Sequence, residues 1–503
     1  MLLEKLLEAL VVKSVEGDLQ GEVSGLVHDS RKVKPGTLFF SISGRRTQGW
    51  LYAREAIAHG ARAVVVDRNC PIKGVPLVRV PDVRLALALL ADRFYGSPSR
   101  SFKLIGVTGT NGKTTTAHMI DALFRGSGEV TGLLGTVGCR IGDHCMPSPA
   151  TTPEADELQA MFSRLASIGA THVTMEVSSH ALELKRVDGC HFNIAVLTNI
   201  TSEHLDFHHT FEAYRNAKTR LFSQMGWGED RDSKQPMAIL NADDPCFEYV
   251  SRRSAGQIVT YGIHNPADVR ASGVRQDEQG IFFQVESFAG IEGLKIPLKG
   301  RFNVYNALAA IASGLAEGLP LPDICTCLTH FSGVPGRFEL VEAGQDFYVV
   351  VDYAHTPDGL ENVIKTARDL SAGRIITVFG CGGERDRSKR SLMGEVAGRL
   401  SDLAIVTDDN PRGEESQQIM REVITGLQIC RPREGYRIIA DRKQAIRIAL
   451  DEAGSGDLVL IAGKGHETEQ IYHDRIIPFN DRQVAQEMIM TKLKRKLISR
   501  HAN

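Results

Sequence analysis

Phe102-Lys103-Leu104-Ile105-Gly106-Val107 runs directly into Thr108-Gly109-Thr110-Asn111-Gly112-Lys113-Thr114-Thr115, and this stretch decides the fold. The first part is an apolar run of buried-strand length. A Gly-rich turn follows, then helix-forming sequence. Backbone N–H groups of such a turn, together with a helix N-terminus, cradle an anion. Lys113 can reach the outer phosphates of a nucleotide, and Thr114 can hold Mg²⁺. The general pattern G-x-x-x-x-G-K-[ST] wants Gly where this chain has Val107, so the generic match is incomplete. The competing reading is an ordinary tight turn. Strand, Gly-Lys-Thr and helix standing in order favour the nucleotide loop.

Working outward, the apolar runs Thr171 to Val177 and Ile194 to Leu197 each end in polar clusters. That rhythm predicts strand–helix units and a mostly parallel sheet, with chemistry at the carboxyl ends of the strands. Gly96-Ser97-Pro98-Ser99 reads as a linker, and Val334-Pro335-Gly336 opens another region. The expected fold class is therefore α/β in three domains, over residues 1–99, 100–333 and 334–503. The first carries short strands at Leu38 to Ser41 and Ala63 to Val66. The third repeats the doubly wound pattern, with strands at Arg374 to Phe379, Leu403 to Val406 and Leu458 to Ile461. No internal repeat or low-complexity tract interrupts this.

Composition narrows the function. Across 503 residues, 59 Lys plus Arg balance 61 Asp plus Glu, which argues against a nucleic-acid partner or a polybasic membrane surface. Anionic substrates must then be held by local groups. Nine Cys residues include no C-x-x-C pair. The closest, Cys325 and Cys327, lack partners at zinc spacing, so neutral thiols in a reducing cytosol are expected. Leu3, Leu6, Leu7 and Leu10 share one helical face, which predicts an amphipathic helix instead of a signal peptide. No stretch approaches membrane-spanning length. The basic segment Lys492 to Arg500 reads as a solvated helix end, not an anchor.

Thr108-Gly109-Thr110-Asn111-Gly112-Lys113-Thr114-Thr115 resembles the nucleotide loop of the Mur ligases and folylpolyglutamate synthetases, where Val at position 107 is unremarkable. The resemblance covers nearly the whole chain. Asp29-Ser30-Arg31 with Pro35 to Phe39 is similar to the N-terminal substrate domain of UDP-N-acetylmuramoyl-tripeptide synthetases. Thr151-Thr152-Pro153, Met175 to His180, Thr198-Asn199-Ile200 and His204-Leu205-Asp206 follow in the family's order. So do Pro335-Gly336-Arg337, Asp352 to Pro357 and Gly463 to Glu467.

The resemblance implies an ATP-dependent ligase that phosphorylates a carboxylate and lets an amine attack the acyl phosphate, with ATP and Mg²⁺ as cofactors. It assigns Gly109, Thr110, Asn111, Gly112, Lys113, Thr114, Thr115, Asn303, Arg337 and Asp352 to ATP. Glu176, at the end of an apolar strand, is assigned to Mg²⁺ with Thr114 and His204. Lys218 resembles the lysine that these enzymes carry as a carbamate, a further ligand for that metal. A UDP-muramoyl dipeptide is implied for Ser30, Thr151, Thr152, Ser178 and Arg186. The family often has Gln two residues before this Arg, where this chain has Leu184; with His28 and Thr47, that departure leaves uridine contacts open.

The turn Gly380-Cys381-Gly382-Gly383 lacks G-x-G-x-x-G spacing, so no NAD site is expected. Arg385 beyond it matches a family arginine that holds the incoming amino acid. Asp408-Asp409-Asn410-Pro411-Arg412 resembles the motif of diaminopimelate-adding members, and Asp409, Asn410, Pro411, Arg412, Gly463 and Glu467 are expected contacts. A guanidinium can grip the second carboxylate that distinguishes meso-diaminopimelate from lysine. The alternatives are a lysine-adding, D-alanyl-D-alanine-adding or folate-type relative, or a P-loop motor. A cytoplasmic monomer without membrane insertion is expected.

Overall fold

The computed structural model describes residues 1–18, 20–44, 47–148, 150–226, 235–277, 279–430 and 435–501, without the side chains beyond 495. Three main sheets follow one another along the chain, with a two-stranded ribbon near the end.

The N-terminal sheet runs Ser14–Glu16, Leu77–Val80, Ala63–Asp67, Thr37–Phe40, Gly25–Val27 across its width, and only its first pair is antiparallel. Leu3, Leu6, Leu7 and Leu10 are all buried against it, as the apolar face predicts. Asp82 caps the helix Val83–Phe94 by accepting from Arg84 and Leu85 N–H. Ser97, in the predicted linker, adopts a left-handed conformation at φ 55°.

Lys103–Thr108 lies in the interior of an eleven-stranded sheet, between Ile194–Leu197 and His172–Glu176, parallel to both. Seven strands form the parallel part, with antiparallel hairpins at either edge. Two helices pack on one face, Lys113–Gly126 and Phe302–Ala316. The second is buried nearly all round, and Ala307, Ala309, Ala310 and Ala312 let it approach closely.

The C-terminal sheet has the order Glu339–Leu340, Tyr348–Asp352, Leu458–Ala462, Ile375–Phe379, Leu403–Val406, Tyr436–Ile438. Its last-made parallel strand, Leu458–Ala462, is inserted between Tyr348–Asp352 and Ile375–Phe379, both made much earlier in the chain. Arg442 and Asp481, both fully buried, pair at 2.7 Å and tie the last helix, Asp481–His501, to the carbonyls of Asp408 and Ala462. Lys492 is not simply solvated. It donates to the carbonyls of Leu450 and Ala453 at the end of the helix Arg442–Glu452. The basic side chains after residue 495 lie outside the described residues. All nine thiols are free, and Cys327 donates to the Ala122 carbonyl. Among the described residues no helix is long and apolar enough to cross a membrane.

Candidate functional site

One cleft of about 1390 Å³ runs from Ser43 and Arg84 at the N-terminal end, past the phosphate loop, to Arg412 and Glu467. The loop's glycines are there for close approach. A Cβ on Gly109 (φ 153°) would lie 1.8 Å from Thr198 Oγ1, and one on Gly112 (φ 84°) 2.4 Å from Asn306 Oδ1. Lys113, the first residue of its helix, turns its ammonium back onto the carbonyls of Gly109 (2.9 Å) and Thr110 (2.8 Å). Burial lowers its pKa, partly offset by Glu203 and Glu176.

Lys218, on the helix Phe211–Ser223, is 2% exposed and donates to the same Gly109 carbonyl at 2.6 Å. Burial, and then the charge of Lys113, hold its pKa well below the usual lysine range. Two amines of depressed basicity therefore converge on one peptide oxygen.

Glu176 ends the strand beside the loop and is 1% exposed. Its carboxylate accepts from Thr114 Oγ1 (3.0 Å), Thr136 N (2.7 Å) and Thr136 Oγ1 (3.2 Å). Among the described residues no cationic group lies within ion-pair distance of this buried carboxylate, and Lys113 acts on it only from further off. Thr136 links onward to Thr151 at 3.1 Å, and Thr152 accepts from Ser178 N and donates to the Glu176 carbonyl. Arg186 donates to the Thr152 carbonyl and pairs with Glu154 at 2.8 Å. Thr151, Thr152, Ser178 and Arg186 are thus brought together in the cleft, with Leu184 beside them. Ser30 is not among the cleft's lining; it sits in a short turn capped by Asp29. His28 bonds Asp156 at 2.8 Å and tethers the N-terminal sheet to the helix Ala155–Ser167. Thr47 is exposed.

His204 lines the cleft in a left-handed conformation (φ 57°), and burial lowers its pKa to about 4, so it is neutral near pH 7. Its neighbour Glu203 went unnoticed in the sequence. Glu203 lies 3.5 Å from His204 and 3.4 Å from His355, which belongs to the C-terminal part. Burial pushes its carboxyl up, but His204, His355 and Lys113 outweigh that and hold it well below the usual range.

Asn303 and Asn306 stand one turn apart on the buried helix, joined at 2.9 Å, and Thr116 donates to Asn306. Asn306 was also missed, although its i,i+3 spacing from Asn303 was a usable signal. Arg337 reaches across from the C-terminal part to donate to Thr114 Oγ1 at 2.9 Å, and its guanidinium lies over the Tyr353 ring. Asp352 accepts from Phe338 and Ala354 N–H; burial raises its pKa against the opposing pull of Arg337. Asn111 donates to Asp358, a third bridge between the two parts.

At the far end, the turn Gly380 to Gly383 packs against Thr407 to Arg412. A Cβ on Gly380 would come 2.2 Å from the Thr407 carbonyl, and one on Gly383 1.8 Å from that of Pro411. These glycines serve backbone contact. Arg412 (φ 54°) donates to the carbonyls of Gly383 and Asn410. Burial and the nearby Arg385 lower its pKa. Among the described residues neither Arg385 nor Arg412 has a carboxylate within ion-pair distance, and both line the cleft. Asp409, Asn410, Gly463 and Glu467 line it with them, and Pro411 does not.

Three family models match the chain: "Mur ligase family, catalytic domain" over residues 22–95, "Mur ligase middle domain" over 107–314, and "Mur ligase, glutamate ligase domain" over 336–465. The chain is 48% identical over 470 residues to a UDP-N-acetylmuramoyl-L-alanyl-D-glutamate–2,6-diaminopimelate ligase of Geobacillus thermodenitrificans, covering 93% of this chain and 95% of that one. It is 45% identical to the protein of the same name from Syntrophomonas wolfei, covering 98% and 100%. A solved structure of a ligase with that name is similar at 31% identity and a TM-score of 0.65, covering 97% of this chain and 99% of the other.

Proposed function

The chain belongs to the Mur ligase family, and on that premise we propose that it joins meso-2,6-diaminopimelate to UDP-N-acetylmuramoyl-L-alanyl-D-glutamate, with cleavage of ATP to ADP and phosphate, in peptidoglycan precursor synthesis. One observation carries the choice of amino acid. Arg385 and Arg412 face the same cleft as the phosphate loop, and no described carboxylate pairs with either. An amino acid with two carboxylates supplies the missing anions. For lysine, the far end would bring an ammonium against a guanidinium.

In the reaction, the D-glutamate side-chain carboxylate attacks the terminal phosphorus of ATP. ADP departs, and an acyl phosphate remains. The free amine of diaminopimelate then attacks the acyl carbon, phosphate leaves with the C–O bond electrons, and the amine loses a proton. Charge accumulates at the phosphates in the first step, and cations must meet it. Lys113 would meet it by exchanging its bonds to the Gly109 and Thr110 carbonyls for phosphate oxygens. Gly109, Thr110, Asn111, Gly112, Thr114 and Thr115 would enclose the phosphates, while Asn303, Arg337 and Asp352 would hold the rest of ATP.

Mg²⁺ fits the residues present. Glu176 is a buried carboxylate with no cation within ion-pair distance among the described residues, and a bound cation would offset the cost of burying it. Thr114 and neutral His204 supply further donors, and Mg²⁺ takes one or two protein carboxylates plus phosphate oxygens. When bound, the ion would neutralise phosphate charge. Lys218 would hold it as a carbamate: its neutral amine adds to CO₂ and loses a proton, leaving an anion. The lowered pKa supports this by favouring the free amine. Residues 1–99 with Ser30, Thr151, Thr152, Ser178 and Arg186 would bind the UDP-muramoyl dipeptide. Residues 100–333 would bind ATP, and residues 334–503 the amino acid. We propose a cytoplasmic enzyme acting as a monomer without nucleic-acid or membrane partners; nine free thiols support the reducing compartment, and a net charge of −2 supports the lack of a polyanionic partner.

The deciding experiment is phosphate release against a panel of UDP-muramoyl peptides and amino acids. Turnover should require the dipeptide and be fastest with meso-diaminopimelate. A preference for L-lysine overturns the amino-acid assignment, and release of AMP with pyrophosphate overturns the acyl-phosphate route.

A further inference from the structure

Lys464 lies between two of the residues assigned above to the incoming amino acid, yet it does not line the cleft. Its side chain is fully buried. An ammonium removed from water is expensive unless its hydrogen bonds are met by charged or polar acceptors. Here they are met by Glu467 Oε2 at 2.7 Å and Asn410 Oδ1 at 2.9 Å.

This pairing fixes both partners. Lysine has donors and no acceptor, so it can face only the oxygen of the Asn410 amide. Ile471 N–H donates to that same oxygen at 3.0 Å. The amide nitrogen must then point the other way, and it donates to Glu467 Oε2 at 2.8 Å. Oε2 thus receives two donors. Among the described residues none donates to Oε1, and Glu467 is 29% exposed along the cleft. One carboxylate oxygen is anchored, and the other is left without a donor among the described residues.

We infer that Lys464 is a positioning residue for amino-acid selection: its buried ammonium locks the Asn410 amide and anchors Glu467, so that Glu467 Oε1 is held ready for an ammonium of the incoming amino acid. The inference rests on the reading that the amino acid binds beside Asp409 to Arg412. Without Lys464, the amide could turn over and Glu467 could swing into water, and binding would have to restore both.

The test is steady-state phosphate release with wild type and Lys464→Met, using whichever amino acid wild type prefers in the panel. Lys464→Met should raise KM for that amino acid about tenfold or more, with kcat and KM for ATP close to wild type. In a double-mutant cycle, Lys464→Met should add little once Glu467→Gln is present. Should the Met variant not fold, Lys464→Gln keeps a donor for Asn410 without the charge and should show the same split. An unchanged amino-acid KM, or parallel loss in melting temperature and in both KM values, overturns the inference. Failure of the diaminopimelate reading would show separately, as a different preference in the wild type.

Discussion

The two ends of the cleft handle positive charge in opposite ways. At the phosphate loop, Lys113 and Lys218 turn inward and share the Gly109 carbonyl, and both have depressed basicity. At the far end, Arg385 and Arg412 face the cleft with no carboxylate within ion-pair distance among the described residues, while Lys464 and Glu467 are paired behind them. Lysine suits the first task because its pKa shifts readily when buried, and its ammonium is a compact charge that can move onto a phosphate. Arginine suits the second because a planar, permanently charged fork reads a carboxylate in two parallel bonds. The difference separates a site for chemistry from a site for recognition, and each substitution should fall on one side of that line.

The largest effect is expected for Lys113→Ala. Removing a cation from the phosphoryl transfer should lower kcat by about 10²–10³-fold or more, with an unaltered melting curve. A variant that lost only affinity for the amino acid would erase the distinction between the two ends. Lys218→Ala should be nearly as damaging in kcat. If the residue acts as a carbamate, a short carboxylic acid added to the assay should restore part of the rate. A crystal structure of the Mg²⁺-loaded enzyme with a bare Lys218 amine remote from the metal would refute that role.

Arg412→Ala should act on the other parameter. Loss of a buried charge-assisted pair costs about 2–5 kcal/mol, which should appear as a raised KM for diaminopimelate while KM for ATP stays put. An equal fall in kcat with every amino acid would move Arg412 to the chemical side.

The smallest effect is on stability, and it sharpens the contrast in a different way. Burial holds His118, on the phosphate-loop helix, down to about 4, as it does His204 and His466. In the unfolded chain such groups titrate near 6.5. Between these values the unfolded chain binds protons that the folded one refuses, so stability falls as pH falls from about 6.5 toward 4. Melting temperatures measured from pH 8 to 5 should decline below about 6.5. His118→Gln should flatten the decline, and Arg412→Ala should leave its slope unchanged. An unaltered slope in His118→Gln would mean that His118 does not set the acid sensitivity.

Much of this was legible in the chain itself. Lys103 to Thr115 is one contiguous strand, turn and helix, so its phosphate-cradling geometry is local and its residue types announce it. Glu176 was readable as a strand end for the same reason, and Leu3, Leu6, Leu7 and Leu10 declared a buried face by spacing alone. Ser30 was assigned by likeness to a motif, and the structure leaves it outside the cleft lining. Glu203 and Lys464 were passed over because each is an ordinary polar residue until its neighbours are known, whereas Asn306 could have been read from its spacing to Asn303.

Those neighbours were decided by the tertiary structure. Parallel strands are joined by long crossovers, so residues that meet at their carboxyl ends are remote in sequence, and local periodicity does not say which strand inserts where. The insertion of Leu458–Ala462 between Tyr348–Asp352 and Ile375–Phe379 carries Lys464 and Glu467 to Asn410. Contact between the central and C-terminal parts sets His355 against Glu203 and Arg337 against Thr114. The sequence by itself determined which groups could bind phosphate and carboxylate, because that follows from side-chain chemistry and short-range backbone geometry. Which of them are buried, paired or left open to a ligand was decided only by packing, because desolvation and charge pairing depend on everything within a few ångströms, whatever its place in the chain.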